Sequence, residues 1–109
     1  MDDEAALTSL LAQYLRRTGY DVDTCEDSAQ ALNLISSHPG RYAALVTDLA
    51  LPGVSGEELV DRARAQTPAM KAIITSGYAY NPRQPGVEFL QKPFFPKALG
   101  ELLEKMLRA

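Results

Sequence analysis

Five polar side chains stand where apolar segments of this sequence end or where helical segments begin. They are Asp2, Asp3, Asp48, Ser76 and Lys92. The stretch LVTDLALPG at 45–53 shows the pattern, because an apolar run ends on one aspartate and a Pro-Gly turn follows. Three carboxylates that meet need a cation, and hard oxygen ligands suit Mg²⁺. Beside a bound metal ion a carboxylate can attack phosphorus and form an acyl phosphate, so these residue types indicate phosphoryl chemistry.

Each of the other groups has a role in that chemistry. We assign Asp48 as the nucleophile, Lys92 as the countercharge and Ser76 as a hydrogen-bond donor to the phosphoryl oxygens. Ordinary structural roles are the alternative: an aspartate before a Pro-Gly turn can cap the turn, and two aspartates can form a solvated start to a helix. The assignment therefore depends on these side chains meeting in the fold.

The segments that must position these residues alternate between helical and extended patterns. The predicted helices are at about 4–18, from a cap at Ser28 to before Pro39, from a Ser55–Glu58 capping box, and from about Pro96 to the end. The predicted strands are YDVDTC at 20–25, YAALVT at 42–47, MKAIIT at 70–75 and VEFLQ at 87–91. This alternation predicts a parallel sheet covered on both faces, with a ligand crevice beyond the carboxyl ends of the strands.

Composition and charge narrow the classes of protein. A chain of 109 residues with 46% apolar residues predicts one globular domain, 1–109. No apolar run approaches the roughly 18 residues of a membrane span, and the start has no signal-peptide pattern. The net charge of -3, without a Lys/Arg cluster, weighs against nucleic acid as a direct partner. A single cysteine, Cys25, leaves no internal disulfide and favours a cytoplasmic location.

Four motifs together resemble the response-regulator receiver domain. They are DDE at 2–4, LVTDLALPGVSG at 45–56, IITSGY at 73–78 and FLQKPF at 89–94. The resemblance runs from Asp2 to the end of the chain, and it implies an α/β, flavodoxin-like (βα)5 doubly wound parallel sheet. The SGY and FLQKPF motifs are most similar to those of receivers at the C-terminal end of hybrid histidine kinases.

The resemblance also implies how the site residues act. Asp48 would accept a phosphoryl group from a histidine kinase or a histidine phosphotransfer partner in a Mg²⁺-dependent reaction. Asp3 would bind the metal directly, Asp2 through water or as support, and the backbone carbonyl of Ala50 would be a third contact. The domain itself would be a phosphoacceptor within a two-component system and not an enzyme, although its parent chain could be a hybrid histidine kinase.

A coupled switch and a special peptide bond complete the family pattern. Ser76 would bond the phosphoryl group while Phe89, three residues before Lys92, swings inward. The Lys92–Pro93 bond is expected to be cis. Pro82 and Pro85 should leave the usual fourth helix short or absent.

The sequence departs from the family at its start. Receivers place an apolar central strand directly before the acidic pair, and here only Met1 precedes it, as in a domain truncated at its N-terminus. We expect a four-stranded sheet, with the gap closed by direct pairing or by a segment from another copy in a homodimer or strand exchange. Asp2 and Asp3 would then be weakly anchored and the affinity for Mg²⁺ lowered.

Three other functions are alternatives to the receiver. A degenerate pseudo-receiver would act as a phosphorylation-independent interaction module, and the sequence leaves that alternative open. A flavin-mononucleotide protein would need a hydroxyl- and glycine-rich phosphate loop where this chain has DDEA. An aspartyl phosphatase would need a second acid two residues after its nucleophile, where this chain has Ala50.

Overall fold

The computed structural model describes residues 4–108 as one α/β domain. Along the chain, the described elements are α1 (Ala5–Arg17), α2 (Ser28–Ser37), β1 (Ala44–Asp48), α3 (Gly56–Gln66), β2 (Lys71–Ser76), β3 (Val87–Gln91) and α4 (Pro96–Arg108). The three strands form one parallel sheet in the order β1-β2-β3. The predicted parallel α/β architecture is therefore confirmed.

Helices cover both faces of this sheet. Ile73 of the central strand β2 points to the face covered by α1 and α4, where it packs with Leu15 and Leu99. Its neighbours Ala72 and Ile74 point to the opposite face and pack with Val60 of α3. Because successive strand residues face opposite sides, a strand between two helical layers is apolar at nearly every position, as in the run that predicted β2.

Two helix caps show how local sequence sets the boundaries. Ser55 caps α3 as predicted, since its hydroxyl accepts a hydrogen bond from the N–H of Glu58 at 3.1 Å. The predicted cap of α2 at Ser28 is wrong by one position. Asp27 has the extended backbone of a cap, and its carboxylate accepts from the N–H of Gln30 at 2.7 Å, which leaves Ser28 as the first helical residue.

The predicted strand at 20–25 does not form, so the sheet in residues 4–108 has three strands and not the expected four. A groove of about 360 Å³ lies between this extended segment and β1, and both line it. A strand exists only through hydrogen bonds to a neighbour, and the groove keeps the segment away from β1. The segment is held instead by side chains: Tyr20 and Val22 pack against the core beside α1, and Arg16 donates to the carbonyl of Val22 at 2.7 Å.

Two further predictions from the sequence are confirmed. Residues 77–86 contain no helix, in agreement with the positions of Pro82 and Pro85. The Lys92–Pro93 peptide bond is cis. Within residues 4–108, no helix is both long and apolar enough to cross a membrane.

Candidate functional site

The carboxyl edge of the sheet brings three predicted site residues together. Asp48 is the last residue of β1, Ser76 is the last of β2, and Lys92 directly follows β3. The ladder continues to this edge, since the N–H of Lys92 donates to the carbonyl of Ser76 at 2.7 Å and the N–H of Leu49 donates to the carbonyl of Thr75 at 2.8 Å. The backbone thus fixes where each of the three side chains starts.

Asp48 and Lys92 form an ion pair at this edge. The distance from Nζ of Lys92 to Oδ2 of Asp48 is 3.5 Å, and Oδ1 accepts a hydrogen bond from the N–H of Leu49 at 3.1 Å. Asp48 is only 8% exposed. A carboxylate that is so far removed from water needs a countercharge and hydrogen bonds to stay ionised, and the ammonium and the amide provide both.

Gly56 is a residue of the site that the sequence reasoning missed. A Cβ at this position would collide with the carbonyl oxygen of Asp48, so α3 can begin this close to β1 only with glycine there. The N–H of Gly56 also donates to the carbonyl of Leu49 at 2.8 Å, which closes the loop after the aspartate. The signal was present in the sequence as a glycine directly after the helix cap Ser55.

Ser76 and Phe89, the predicted switch pair, lie on neighbouring strands. Ser76 is buried, and its hydroxyl oxygen accepts a hydrogen bond from the N–H of Tyr78 at 3.0 Å. Phe89 contacts Tyr80 edge to face, with ring centroids 6.1 Å apart and an interplanar angle of 73°. Both residues therefore contact the segment 77–86, which joins β2 to β3.

Two of the four predicted metal contacts fall on described residues. Asp48 presents a carboxylate and Ala50 a backbone carbonyl in the loop after β1, and both are hard oxygen donors of the type that Mg²⁺ prefers. Asp2 and Asp3 lie outside the described residues. Within 4–108 there is no cluster of three or more acidic, histidine or cysteine side chains able to hold a metal ion.

Comparisons with known proteins identify the family and the fold of this chain. Residues 1–104 match the family model for the response regulator receiver domain. The chain is 32% identical over 115 residues to the transcriptional regulatory protein FixJ of Bradyrhizobium diazoefficiens; the match covers 99% of this chain and 55% of FixJ. It is 30% identical over 114 residues to the response regulator receiver protein CpdR of Brucella abortus, covering 99% of this chain and 93% of CpdR. This chain thus spans about half the length of FixJ and nearly all of CpdR.

A solved structure gives the same result. The receiver domain of the hybrid histidine kinase CckA superposes with a TM-score of 0.88 at 33% identity, covering 97% of this chain and 94% of that chain. The likeness to receivers of hybrid histidine kinases, expected from the SGY and FLQKPF motifs, is therefore confirmed, as is the flavodoxin-like fold.

Proposed function

Because the chain belongs to the response regulator receiver family, we propose that Asp48 accepts a phosphoryl group from a phosphohistidine on a histidine kinase or a histidine phosphotransfer protein. The observation that supports this role is the ion pair of the buried Asp48 with the partly exposed Lys92, 3.5 Å apart at the carboxyl edge of the sheet. In a doubly wound fold this edge is where ligands bind. Receiver domains accept phosphoryl groups within two-component systems and are not classical enzymes.

The transfer is an in-line displacement at phosphorus. A carboxylate oxygen of Asp48 forms the new O–P bond while the P–N bond to the histidine ring breaks, and the bonding pair stays on the ring nitrogen. Lys92 holds an ammonium group beside the carboxylate, where it would balance the charge on the phosphoryl oxygens. Ser76 would donate its hydroxyl to one of those oxygens.

The oxygen donors at this edge would hold a Mg²⁺ ion. Asp48 and the carbonyl of Ala50 are proposed as ligands together with Asp2 and Asp3. When bound, the ion supplies charge neutralisation on the incoming phosphoryl group. Any later loss of the phosphoryl group would be hydrolysis by water that reaches the aspartyl phosphate past Ala50.

Labelling with a small phosphodonor tests the proposal. The protein is incubated with acetyl phosphate and Mg²⁺, and its molecular mass is then measured by intact-mass spectrometry. We expect the mass gain of one phosphoryl group, lost in Asp48→Asn and in excess chelator. The matched control is Asp21→Asn, because Asp21 is exposed and far along the chain from the site; this variant should label as the unaltered protein does.

The opposite outcome identifies the alternative function. If the folded protein gains no phosphoryl group at saturating Mg²⁺, Asp48 is not an acceptor under these conditions. The groove beside β1 is the feature that supports this alternative, since it is lined by α1, the helix that follows the predicted metal ligands in the sequence. The domain would then act as a pseudo-receiver that binds partners without phosphorylation.

A further inference from the structure

The segment 77–86 lies across α3 and is called the strap here. Three polar contacts join them. Tyr80 donates its hydroxyl to Oε2 of Glu57 at 2.7 Å, Arg64 donates to the amide oxygen of Gln84 at 3.1 Å, and the amide nitrogen of Gln84 donates to Asp61. The three residues of α3 are four and three positions apart, so they share one face of the helix. The strap is thus bonded along one side of α3 over two turns.

The strap covers an apolar surface. Val60 of α3, Ile74 of β2 and Val87 of β3 are all buried, and the ring of Tyr80 packs against this cluster. A small cavity of about 40 Å³ remains beneath the strap, lined by these three residues and by Tyr80. The strap is therefore held on α3 both by apolar packing and by the polar contacts at its rim.

The strap crosses the sheet from the edge that carries the site to the opposite edge, and it is bonded to the sheet at both ends. At its start, the N–H of Tyr78 donates to the hydroxyl oxygen of Ser76. At its end, the carbonyl of Gly86 accepts from the N–H of Ala72 at 2.9 Å. Gly86 has a φ of +82°, and a Cβ there would lie 2.9 Å from the guanidinium of Arg64, so only glycine allows the strap to rejoin β3 this way.

Tyr80 is the residue that joins the strap, α3 and the predicted switch. Its hydroxyl is bonded to Glu57 of α3, and its ring contacts Phe89 of β3 edge to face. An inward movement of Phe89 would therefore have to pull the ring of Tyr80 along or break the ring contact. The first change works against the hydroxyl bond that fixes Tyr80 to α3, and the second loses a ring contact that holds Phe89 in its present position.

We propose that the Tyr80–Glu57 hydrogen bond is a lock that keeps the strap closed on α3, and that this lock opposes the switching of the Asp48 site. The second half of the proposal depends on the function proposed for Asp48, whereas the first half does not. Burial, followed by the hydrogen bond to Glu57, raises the pKa of Tyr80 to about 12, so the hydroxyl remains a donor at neutral pH.

Hydrogen exchange of the strap amides tests the lock without any phosphodonor. Tyr80→Phe keeps the ring and removes the hydroxyl, and we expect exchange in 77–86 to become about two- to tenfold faster, as for the loss of one hydrogen bond. Tyr78→Phe is the matched control. It removes the same hydroxyl group from the same segment, but Tyr78 is 85% exposed. Glu57→Gln keeps an oxygen acceptor and should preserve slow exchange, while Glu57→Ala should match Tyr80→Phe. Exchange at the unaltered rate in both Tyr80→Phe and Glu57→Ala overturns the lock.

A phosphoryl mimic tests the coupling. Beryllium trifluoride and Mg²⁺ are added, and fluorine NMR reports adduct formation independently of the strap. Linkage requires that if the adduct opens the strap, opening the strap tightens the adduct. We therefore expect faster exchange in 77–86 on adduct formation, and tighter adduct binding in Tyr80→Phe than in Tyr78→Phe. An adduct that forms and leaves strap exchange unchanged overturns the coupling. A protein that forms no adduct contradicts the function proposed for Asp48. In that case, hydrogen exchange in the variants without the mimic still shows whether the Tyr80–Glu57 bond holds the strap closed.

Discussion

The two sides of β1 differ in how they are packed. On one side, the five residues Ala44–Asp48 pair in register with Lys71–Thr75 of β2, and the core beyond them is fully buried. On the other side lies the 360 Å³ groove and, across it, an extended segment without strand pairing. These are called the closed side and the groove side below.

The difference shows which parts of the site depend on which half of the fold. Asp48, Ser76 and Lys92 all belong to the closed side, and the pairing of β1 with β2 and of β2 with β3 places the aspartate 3.5 Å from the ammonium. The predicted ligands Asp2 and Asp3 precede α1, which lines the groove. The ion pair therefore belongs to the closed side alone, whereas the proposed Mg²⁺ site would also need the two acidic residues that precede α1.

Truncating one isoleucine on each side should give the largest contrast. Ile73 is fully buried in the middle of β2, and Ile73→Ala should lower the free energy of unfolding toward the upper end of the about 2–5 kcal/mol range for such truncations. Ile35 of α2 lines the groove, where part of the space is already open. The same truncation there should cost about 2 kcal/mol or less, because fewer close contacts are lost.

Urea unfolding of both variants measures this contrast. Similar slopes would show that only stability has changed. Equal losses for the two isoleucines would contradict the distinction between the sides, since they would mean that the groove wall is packed as tightly as the sheet.

The closed side was the part of the fold that sequence patterns could predict. The run 70–75 is apolar at nearly every position, which is how a strand between two helical layers reads. This run ends at Ser76, and Asp48 and Lys92 stand at neighbouring strand ends. The sequence alone therefore indicates the site. These features are local, or follow from the rule that parallel strands share one carboxyl edge.

The groove side was predicted less well because a strand depends on its neighbour. The stretch 20–25 alternates polar and apolar residues, and Tyr20 and Val22 do face the core, so the pattern was right about burial. It could not show that, among residues 4–108, this stretch pairs with no strand. The strap contacts were missed for a similar reason, since Tyr80 and Glu57 are 23 residues apart and meet only through the path of the loop.

Enlarging one alanine on each side should give a smaller contrast, of about 1–3 kcal/mol. Ala63 of α3 has no exposed surface and does not line the groove, although it packs with Ile35, so Ala63→Leu should overpack this contact and destabilise the protein by that amount. Ala31 of α2 lines the groove, so Ala31→Leu places its added carbons in existing space. We expect it to be neutral or stabilising. Both residues are helical, so the change in helix propensity is shared.

The melting temperatures of the two variants decide this prediction. A loss in Ala31→Leu as large as that in Ala63→Leu would show that the groove is not available to a side chain from α2. The result would also argue against the groove as the reason that residues 20–25 remain unpaired.

The titration of two tyrosines should give the smallest contrast. Tyr80, on the closed side, has a pKa raised to about 12, chiefly by burial and then by its bond to Glu57. Tyr42, which lines the groove, also has a raised pKa, but chiefly through its 2.5 Å hydrogen bond to Asp23, with burial second. Tyr80→Phe should remove the tyrosinate absorbance step near pH 12, and Tyr42→Phe should leave that step in place.

The free energy of unfolding should also depend on the ionisation of Tyr80. The folded pKa of Tyr80 lies above the value of about 10 for an unfolded chain, so its contribution is complete below about pH 10 and is lost as the pH rises through about 12. The urea midpoint of Tyr80→Phe should therefore lie below that of the unaltered protein near neutral pH and approach it in this alkaline range. Equal midpoints near neutral pH would mean that the hydroxyl of Tyr80 contributes nothing and that packing of its ring alone holds the strap on the closed side.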